Sequence, residues 1–305
     1  MKTRITQDEP PRPEPPTTPA AVAHREAPAS GFRAFVQAHR LPIFFTLAYL
    51  LTWGAIPWSS FLPTGALVAA LVVAFAADGL AGLKAIGSRL IRWRVNWIWY
   101  ALALGVPLLV NAGTLGLTVA TGAPAPQQGL LGVWTGVPLA IGIAIVNPLN
   151  GPLSEEPSFR GYALPILQGR RTPLVSAAIL AALVAGWHGP LFFMPEFNLR
   201  PYEVVTTIAV TFWYVWLFDH AAGSALLTLI AHAAEGSVNI DGLYPRDSAD
   251  ATRAVVVNLL LWCAVAIALL LVNRRFWTSP APDDAACRMG QRSLTAGGQM
   301  DGCRD

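Results

Sequence analysis

Residues 131–162 read LGVWTGVPLAIGIAIVNPLNGPLSEEPSFRGY, and this stretch decides the fold. An apolar run long enough to cross a bilayer is followed, after a break at 148–152 that is rich in proline and glycine, by the adjacent carboxylates Glu155 and Glu156. Ionisable side chains at membrane depth are energetically expensive and usually mark a functional site. The stretch therefore predicts a membrane helix that is interrupted and restarts at a polar site.

The composition of the whole chain agrees with a membrane protein. Of its 305 residues, 54% are hydrophobic and 13% are charged, whereas soluble domains carry roughly 25% charged residues. Apolar runs lie at about 41–59, 63–83, 96–121, 131–149, 173–193, 203–218, 222–238 and 254–273. Each run approaches the roughly 20 residues that span hydrocarbon. The sequence predicts an all-α protein, a polytopic membrane helix bundle of about eight transmembrane helices with a polar intramembrane cavity.

The chain divides into a membrane domain between two polar tails. Residues 1–40 form a proline-rich tail that we expect to be disordered, 41–275 form the transmembrane domain, and 276–305 form a second tail expected to be disordered. Basic residues flank the runs on one predicted side: Arg33, Arg40, Lys84, Arg89, Arg92, Arg94, Arg170, Arg171, Arg274 and Arg275. The positive-inside rule then places both termini in the cytoplasm. Arginine far outnumbers lysine, and alanine and proline are abundant, a composition bias that favours a bacterial inner (plasma) membrane.

Cysteine usage and net charge argue against several kinds of site. Cys263, Cys287 and Cys303 show no C-x-x-C spacing, so neither a disulfide framework nor a cysteine metal site is indicated. The formal net charge is +3 and the basic residues sit in loops and tails. Nucleic-acid binding therefore has no support.

The two glutamates cannot have the same role. Ser154 is a plausible N-cap, which would place Glu155, Glu156 and Pro157 in the first turn of a helix that runs to about residue 167. Successive helical side chains diverge by about 100°, and Arg160 follows Glu156 by the four residues that let side chains meet. We expect Glu156 to pair with Arg160, which leaves Glu155 as a candidate general base. The alternative is a pair of solvated glutamates with a salt bridge at the cytoplasmic edge.

Two later apolar runs each contribute one histidine. His188 follows the apolar stretch 177–187 and precedes the pair Gly189-Pro190, which would bend the helix. His232 is followed after three and seven residues by Glu235 and Asn239, which would share its helix face. Polar side chains of this kind also hold membrane helices together, so a packing role is the alternative. Together with Glu155, the two imidazoles are sufficient to activate a water molecule.

The residue types fit two chemistries, and spacing does not separate them. The sequence has no H-E-x-x-H zinc helix. Glu155, His188 and His232 would nevertheless give a divalent metal such as Zn²⁺ three ligands and an open position. Without a metal, Glu155 and His188 would hold and deprotonate water, while His232 and a side-chain amide would donate hydrogen bonds to the oxyanion.

The motifs resemble those of the CPBP family (CAAX prenyl endopeptidase and bacteriocin-processing, or Abi) of intramembrane proteases, over about 130–273. The segment from Glu155 to Tyr162 matches the first family motif: two glutamates, three variable residues, arginine, glycine and an aromatic residue. The second motif is similar to the segment around His188, with Trp187 before it and a proline two residues after it. The third is similar to the segment ending at His232.

Two positions depart from the family pattern. In the second motif the family has an aromatic residue four residues before the histidine, and this chain has Val184 there. The family has an asparagine four residues after the second histidine, and this chain has Gly236 there. Asn239, one turn further on, is the candidate replacement if the end of the helix unwinds or shifts. The resemblance implies that Glu155 and His188 activate water and that His232 stabilises the transition state.

The resemblance also suggests what the protein acts on. It implies an intramembrane endopeptidase with catalytic residues Glu155, Glu156, Arg160, His188 and His232. We add Asn239 to this set as the candidate replacement for the family asparagine. We expect membrane lipid and a peptide or membrane-protein substrate as its partners, whereas the oligomeric state stays open. The alternative is a catalytically weak or inactive scaffold or immunity protein of the same fold. A proton-coupled transporter is a third hypothesis, but the runs show no obvious repeated halves.

Overall fold

The structure, a computed structural model, describes residues 31–194, 197 and 199–280, and every regular element in these ranges is helical. The α-helices are α1 (Gly31–Ala38), α2 (Arg40–Trp53), α3 (Thr64–Asp78), α4 (Leu80–Leu90), α5 (Trp97–Ala120), α6 (Gly129–Gly132), α7 (Val137–Val146), α8 (Pro152–Ser158), α9 (Leu164–Gln168), α10 (Pro173–Trp187), α11 (Val204–His220), α12 (Ala225–Glu235), α13 (Ala249–Val272) and α14 (Arg274–Trp277). A π-helix, Phe159–Ala163, joins α8 to α9. Short 3₁₀ helices lie at Ile56–Trp58, Pro148–Asn150, Gly189–Phe193, Pro201–Glu203 and Ile240–Gly242. The predicted all-α class is confirmed for these ranges.

Several of the helices are long and apolar enough to cross a membrane. These segments are Arg40–Trp58, Trp97–Ala120, Gly129–Val146 and Ala249–Val272, and the shorter apolar helices α3, α10 and α12 accompany them. In the long segments, between 11% and 39% of the most apolar window is buried inside the protein, so most of that surface faces outward. Such a surface belongs in hydrocarbon, which identifies an integral membrane protein. The count of eight spans stays a prediction.

Two of the predicted apolar runs are each divided between two helices. The run 63–83 contains α3 and α4, separated at Gly79, whose φ is 63° and whose ψ is −146°. Glycine tolerates this backbone conformation because it has no Cβ. The run 131–149 is likewise divided between α6 and α7. The apolar runs thus predict where the helices lie better than they predict where each helix ends.

Helical structure extends beyond the predicted domain boundaries at both ends. α1 lies within the predicted tail 1–40, and its Val36 is buried. α14 crosses the predicted boundary at 275, and the buried Trp277 donates a hydrogen bond from Nε1 to the Leu269 carbonyl at 3.0 Å. These two apolar anchors explain why the ordered part is longer than predicted. The predicted disorder of 1–30 and 281–305, including two of the three cysteines, lies outside the described residues.

The motif helix α8 lies between two apolar clusters. One cluster is built mainly from α2, α3, α10 and the π-helix, and the other from α5, α11, α12 and α13. α8 contacts α3 from the first cluster and α12 from the second. The polar side chains of α8 are therefore held between two packed halves of the bundle.

Candidate active site

The helix that carries the two glutamates begins at Pro152, earlier than predicted. Gly151 is its N-cap, with a φ of 85° and a ψ of −77°. The prediction that Ser154 is the N-cap is wrong, because Pro152, which lacks an N–H, already occupies the first helical position. The Ser154 hydroxyl instead donates to the Pro148 carbonyl at 2.6 Å. Glu155 lies in the first turn, as predicted, whereas Glu156 lies beyond it because the helix begins earlier.

Because the helix begins earlier, Pro157 lies in the interior of α8 and not in the first turn. A proline there removes one backbone donor and disturbs the regular hydrogen-bond ladder. The chain continues as the π-helix Phe159–Ala163, an irregular form that is frequent at functional sites. The residues of this π-helix, Arg160 among them, are all buried.

Glu156 and Arg160 form a buried ion pair. The Arg160 guanidinium donates to Glu156 Oε1 at 3.0 Å, and the two side chains are 2% and 0% exposed, respectively. The same guanidinium donates to Thr211 Oγ1 at 3.4 Å and lies 4.7 Å from the ring centroid of Tyr214. The predicted i,i+4 pairing is confirmed. Each buried charge thus has a counter-charge, which is the condition for keeping it in the interior.

His232 also contacts Glu156. Its Nδ1 lies 2.9 Å from Glu156 Oε1, the same oxygen that accepts from Arg160. The His232 ring stacks on Tyr214, with centroids 5.4 Å apart and an interplanar angle of 28°. Because a carboxylate oxygen accepts, Nδ1 of His232 is the donor, and Nε2 is left for other contacts. Glu156 therefore fixes the orientation of His232 as well as that of Arg160.

His188 lies opposite Glu155. Its Nδ1 donates to the Val184 carbonyl at 2.9 Å, and its Nε2 lies 3.7 Å from Glu155 Oε2. The ring is enclosed by Phe61, which stacks on it at 6.1 Å, and by Trp187, which meets it edge-on at 4.7 Å. A carbonyl can only accept, so the proton of the neutral imidazole is on Nδ1 and the lone pair of Nε2 faces the carboxylate.

The backbone around His188 is held by α2. Trp187 Nε1 donates to Thr52 Oγ1 at 3.1 Å, and Trp53 Nε1 donates to the Trp187 carbonyl at 2.9 Å. Tyr49 donates from its hydroxyl to the Leu183 carbonyl one turn earlier. These contacts position the end of α10, and with it His188, relative to α2.

Glu155, His188 and His232 line a common cavity of about 130 Å³, together with Arg160 and Tyr214. The helices that carry them are far apart in sequence and meet at this cavity. A second cavity of about 320 Å³ shares His188, Glu235, Thr206 and Thr207 with the first, so the two adjoin. The second cavity lies beside the segments that follow α10 and α12.

Asn239 is not placed with this group. Helix α12 ends at Glu235 with Gly236 as its C-cap, so Asn239 does not continue the helix face of His232 as predicted. Asn239 is exposed and caps the Ile240–Gly242 turn, where its Oδ1 accepts from the Gly242 N–H at 3.1 Å. It lines the second cavity but not the first. Its catalytic role stays a prediction.

Two residues beside the candidate site were not expected from the sequence. The Tyr214 hydroxyl is buried, and no hydrogen-bond partner for it lies in the part of the chain that the structure describes. No single-sequence signal distinguishes Tyr214 from the aromatic residues around it. Gly151 is the other: a Cβ built there would lie 2.9 Å from Glu155 Oε1. The Gly151-Pro152 pair indicates a helix start in the sequence, but no sequence pattern shows the contact between Gly151 and the Glu155 carboxylate.

The side-chain arrangement does not form a ready metal site. Among residues 31–194, 197 and 199–280, no three His, Cys, Asp or Glu side chains are grouped so that they could hold a metal ion. His232 directs Nδ1 to Glu156, while His188 faces Glu155. The suggested ligand set Glu155, His188 and His232 therefore does not have metal-binding geometry in this structure.

A comparison with protein-family models matches residues 136–237 to the family described as Rce1-like, type II CAAX prenyl endopeptidase. The matched range contains Glu155, Glu156, Arg160, His188 and His232 and ends before Asn239. A search of curated proteins returned no significant match. All the described residues that line the cavity of about 130 Å³ lie within the matched range.

Proposed function

Since residues 136–237 match the family model described as Rce1-like, type II CAAX prenyl endopeptidase, we propose that this chain is an intramembrane endopeptidase. It hydrolyses a peptide bond of a membrane-associated peptide or protein with water activated by Glu155 and His188. The observation that carries this proposal is the pairing of Glu155 Oε2 with the lone-pair nitrogen of His188 at 3.7 Å.

That pair is suited to hold one water molecule. Both facing atoms accept hydrogen bonds when Glu155 is ionised and His188 is neutral, so neither satisfies the other. One water about 2.8 Å from each atom donates a hydrogen bond to both and keeps its oxygen lone pairs for attack. Glu155 removes a proton as the water oxygen bonds to the scissile carbonyl carbon, and it returns the proton to the departing amine nitrogen.

The developing oxyanion needs donors on the other side of the cavity. His232 offers Nε2 when its ring is protonated, because the Glu156 carboxylate accepts from Nδ1 and compensates the imidazolium charge. Tyr214 offers a second donor, since its buried hydroxyl has no partner in the described chain and the residue lines the same cavity. We assign to Tyr214 the transition-state hydrogen bond for which the family uses the asparagine replaced here by Gly236.

Tyr214→Phe is expected to reduce cleavage by roughly 10²-fold with little change in substrate binding, because one oxyanion donor is lost. Asn239→Ala is the comparison. We expect a much smaller loss of cleavage activity, because Asn239 is exposed and does not line the cavity of about 130 Å³ at Glu155, which we call the inner cavity. Rates with a saturating peptide substrate would measure both. If Asn239→Ala loses most of its cleavage rate while Tyr214→Phe stays near normal, Asn239 and not Tyr214 is the oxyanion donor.

Gly151→Ala is expected to reduce cleavage by roughly 10²-fold, because the added Cβ would push the Glu155 carboxylate away from His188. The φ of 85° also strains any residue with a Cβ. Gly129→Ala is the matched control: Gly129 has a φ of 73°, but its Cβ would meet no atom within 4 Å. Equal activity losses in the two variants would mean that backbone strain alone is responsible.

The substrate class follows from where the cavities lie. The inner cavity adjoins the larger one beside the segments after α10 and α12, and the predicted cytoplasmic loops lie at the opposite end of these helices. With the orientation predicted by the positive-inside rule, the site opens toward the extracytoplasmic side. An extended segment next to a membrane anchor is the substrate that fits this position.

The proposal is tested by comparing peptide termini in membranes of cells that carry the wild-type protein or Glu155→Gln. We expect new N-termini in membrane proteins that depend on Glu155. Metal analysis of the purified active protein would show whether a metal accompanies activity. Identical termini in the two strains would contradict the protease proposal.

A scaffold or immunity protein with the same fold is the second candidate. It is motivated by Gly236 in place of the family asparagine and by Val184 in the aromatic position before His188. It predicts that a triple alanine variant of Glu155, His188 and His232 still complements a deletion strain. Loss of complementation in that variant, with normal amounts of protein in the membrane, favours the protease.

A further inference from the structure

A third cavity, of about 610 Å³, shares no lining residue with the two cavities at the candidate active site. It is lined by the ends of α1, α2 and α3, by α4, and by the π-helix with α9. Four arginines line it: Arg40, Arg89, Arg170 and Arg171. None of them belongs to the candidate active site.

The cavity carries an excess of positive charge. Asp78 is its one carboxylate among the described lining residues, and it pairs with Arg40 at 3.2 Å. Arg89 donates to the Gly161 carbonyl at 3.0 Å, which leaves its charge uncompensated by any carboxylate in the lining. Arg170 and Arg171 are exposed, and the described residues offer them no ion-pair partner. Three net positive charges therefore face one concave space.

A buried hydroxyl points to a ligand as well. Tyr162 is 5% exposed, and its hydroxyl is buried without a hydrogen-bond partner in the described part of the chain. It lines the same cavity, whose walls also include the apolar side chains Leu41, Ile86 and Ile166. Buried donors are rarely left unsatisfied, so an acceptor from outside the described chain would complete this site.

We propose that this cavity binds a phosphate group, with the guanidinium groups compensating its charge and the Tyr162 hydroxyl donating a hydrogen bond. Guanidinium groups bind phosphate with high geometric specificity. The adjacent apolar wall suits the start of an acyl chain, so the headgroup of an anionic phospholipid is one source and a soluble phosphate is the other. The proposal is independent of the protease function.

Phosphate binding would also affect the π-helix Phe159–Ala163, which carries Arg160 of the candidate site. Tyr162 belongs to the π-helix that carries Arg160, and Arg89 holds the carbonyl of Gly161 in the same π-helix. A ligand that contacts Tyr162 therefore stabilises the segment that positions the Glu156–Arg160 pair. Binding should be visible as a higher temperature of unfolding.

The test is thermal unfolding of the delipidated full-length protein with increasing amounts of a short-chain phosphatidylglycerol, a short-chain phosphatidylcholine or inorganic phosphate. We expect phosphatidylglycerol to raise the unfolding temperature at lower concentration than phosphatidylcholine. If inorganic phosphate gives the same shift at the same concentration, the ligand is a soluble phosphate. A shift with phosphatidylglycerol alone identifies a lipid headgroup. No saturable shift with any of the three overturns the proposal.

Variants locate the site. Replacing both Arg170 and Arg171 with glutamine should weaken phosphatidylglycerol or phosphate binding by roughly tenfold to thirtyfold. The double replacement of Arg274 and Arg275 with glutamine removes two exposed arginines that do not line the cavity, and we expect binding to be nearly unchanged. Tyr162→Phe should also weaken binding, without a charge change. If the Arg274 and Arg275 control loses binding to the same extent, general surface charge explains the binding and the proposed phosphate site is wrong.

Discussion

Glu155→Gln is expected to lower peptide-bond cleavage by roughly 10²–10⁴-fold while the protein still folds. Glutamine has nearly the same shape as glutamate, so the packing against Gly151 is kept, but its amide cannot take a proton from water. The loss should appear in the catalytic rate with saturating substrate and not in substrate binding. A purified peptide substrate and the thermal stability of the variant are the two measurements.

Glu235→Gln is the matched control for that experiment. Glu235 also lines the inner cavity. The carboxylate that faces His188 Nε2, at 3.7 Å, is that of Glu155. We expect Glu235→Gln to retain far more activity than Glu155→Gln. Comparable losses would mean that the cavity needs negative charge in general and that Glu155 is not a specific base.

Glu156→Gln is expected to lower the free energy of unfolding by roughly 3–5 kcal/mol, the effect of breaking a buried ion pair by removing one partner. The Arg160 guanidinium, 2% exposed, would lose its counter-charge, and His232 would lose the carboxylate that accepts from Nδ1. Activity should fall as well, because His232 would no longer be held in position. Thermal or denaturant unfolding in detergent micelles measures the stability.

The Asp250–Arg253 pair provides the control for stability. Its atoms are 2.7 Å apart, but both side chains are about one third exposed, so Asp250→Asn is expected to change stability by roughly 0–1 kcal/mol. Combining Glu156→Gln with Arg160→Met should restore part of the stability, since the uncompensated charge is removed. Additive losses in the double variant would show that the two residues contribute independently.

The sequence predicted the main features of the fold because apolar length and polar breaks are local properties. The eight apolar runs correspond to helices in the described residues, and α10 and α13 begin at or near the predicted positions. The helix start at Pro152 was misplaced because serine and proline are both good N-terminal residues, and only the backbone at Gly151 decided between them. The order of α1 and α14 depends on tertiary packing of Val36 and Trp277.

The candidate site was predictable only in part. The Glu156–Arg160 pairing follows from helical spacing, and the divergence of Glu155 from Glu156 follows from helical rotation. The contact between His232 and Glu156 joins residues 76 positions apart, so no local pattern contained it. The burial of the Tyr214 hydroxyl, without a partner among the described residues, depends on the packing of α11 against the site. Asn239 was placed on a helix face that ends before it, because the sequence did not show that α12 stops at Glu235.

The most direct test of the central claim, that Glu155 and His188 act together on one water, is a double-mutant cycle. Cleavage rates would be measured for Glu155→Gln, His188→Gln and the double variant, with the same peptide and with folding checked in each. If both residues hold the same water, the double variant is about as slow as the slower single variant. Either single substitution already removes the water-activating pair, so the second has little left to remove. Losses that multiply in the double variant would show that the two side chains act separately and would contradict the proposed water-activating pair.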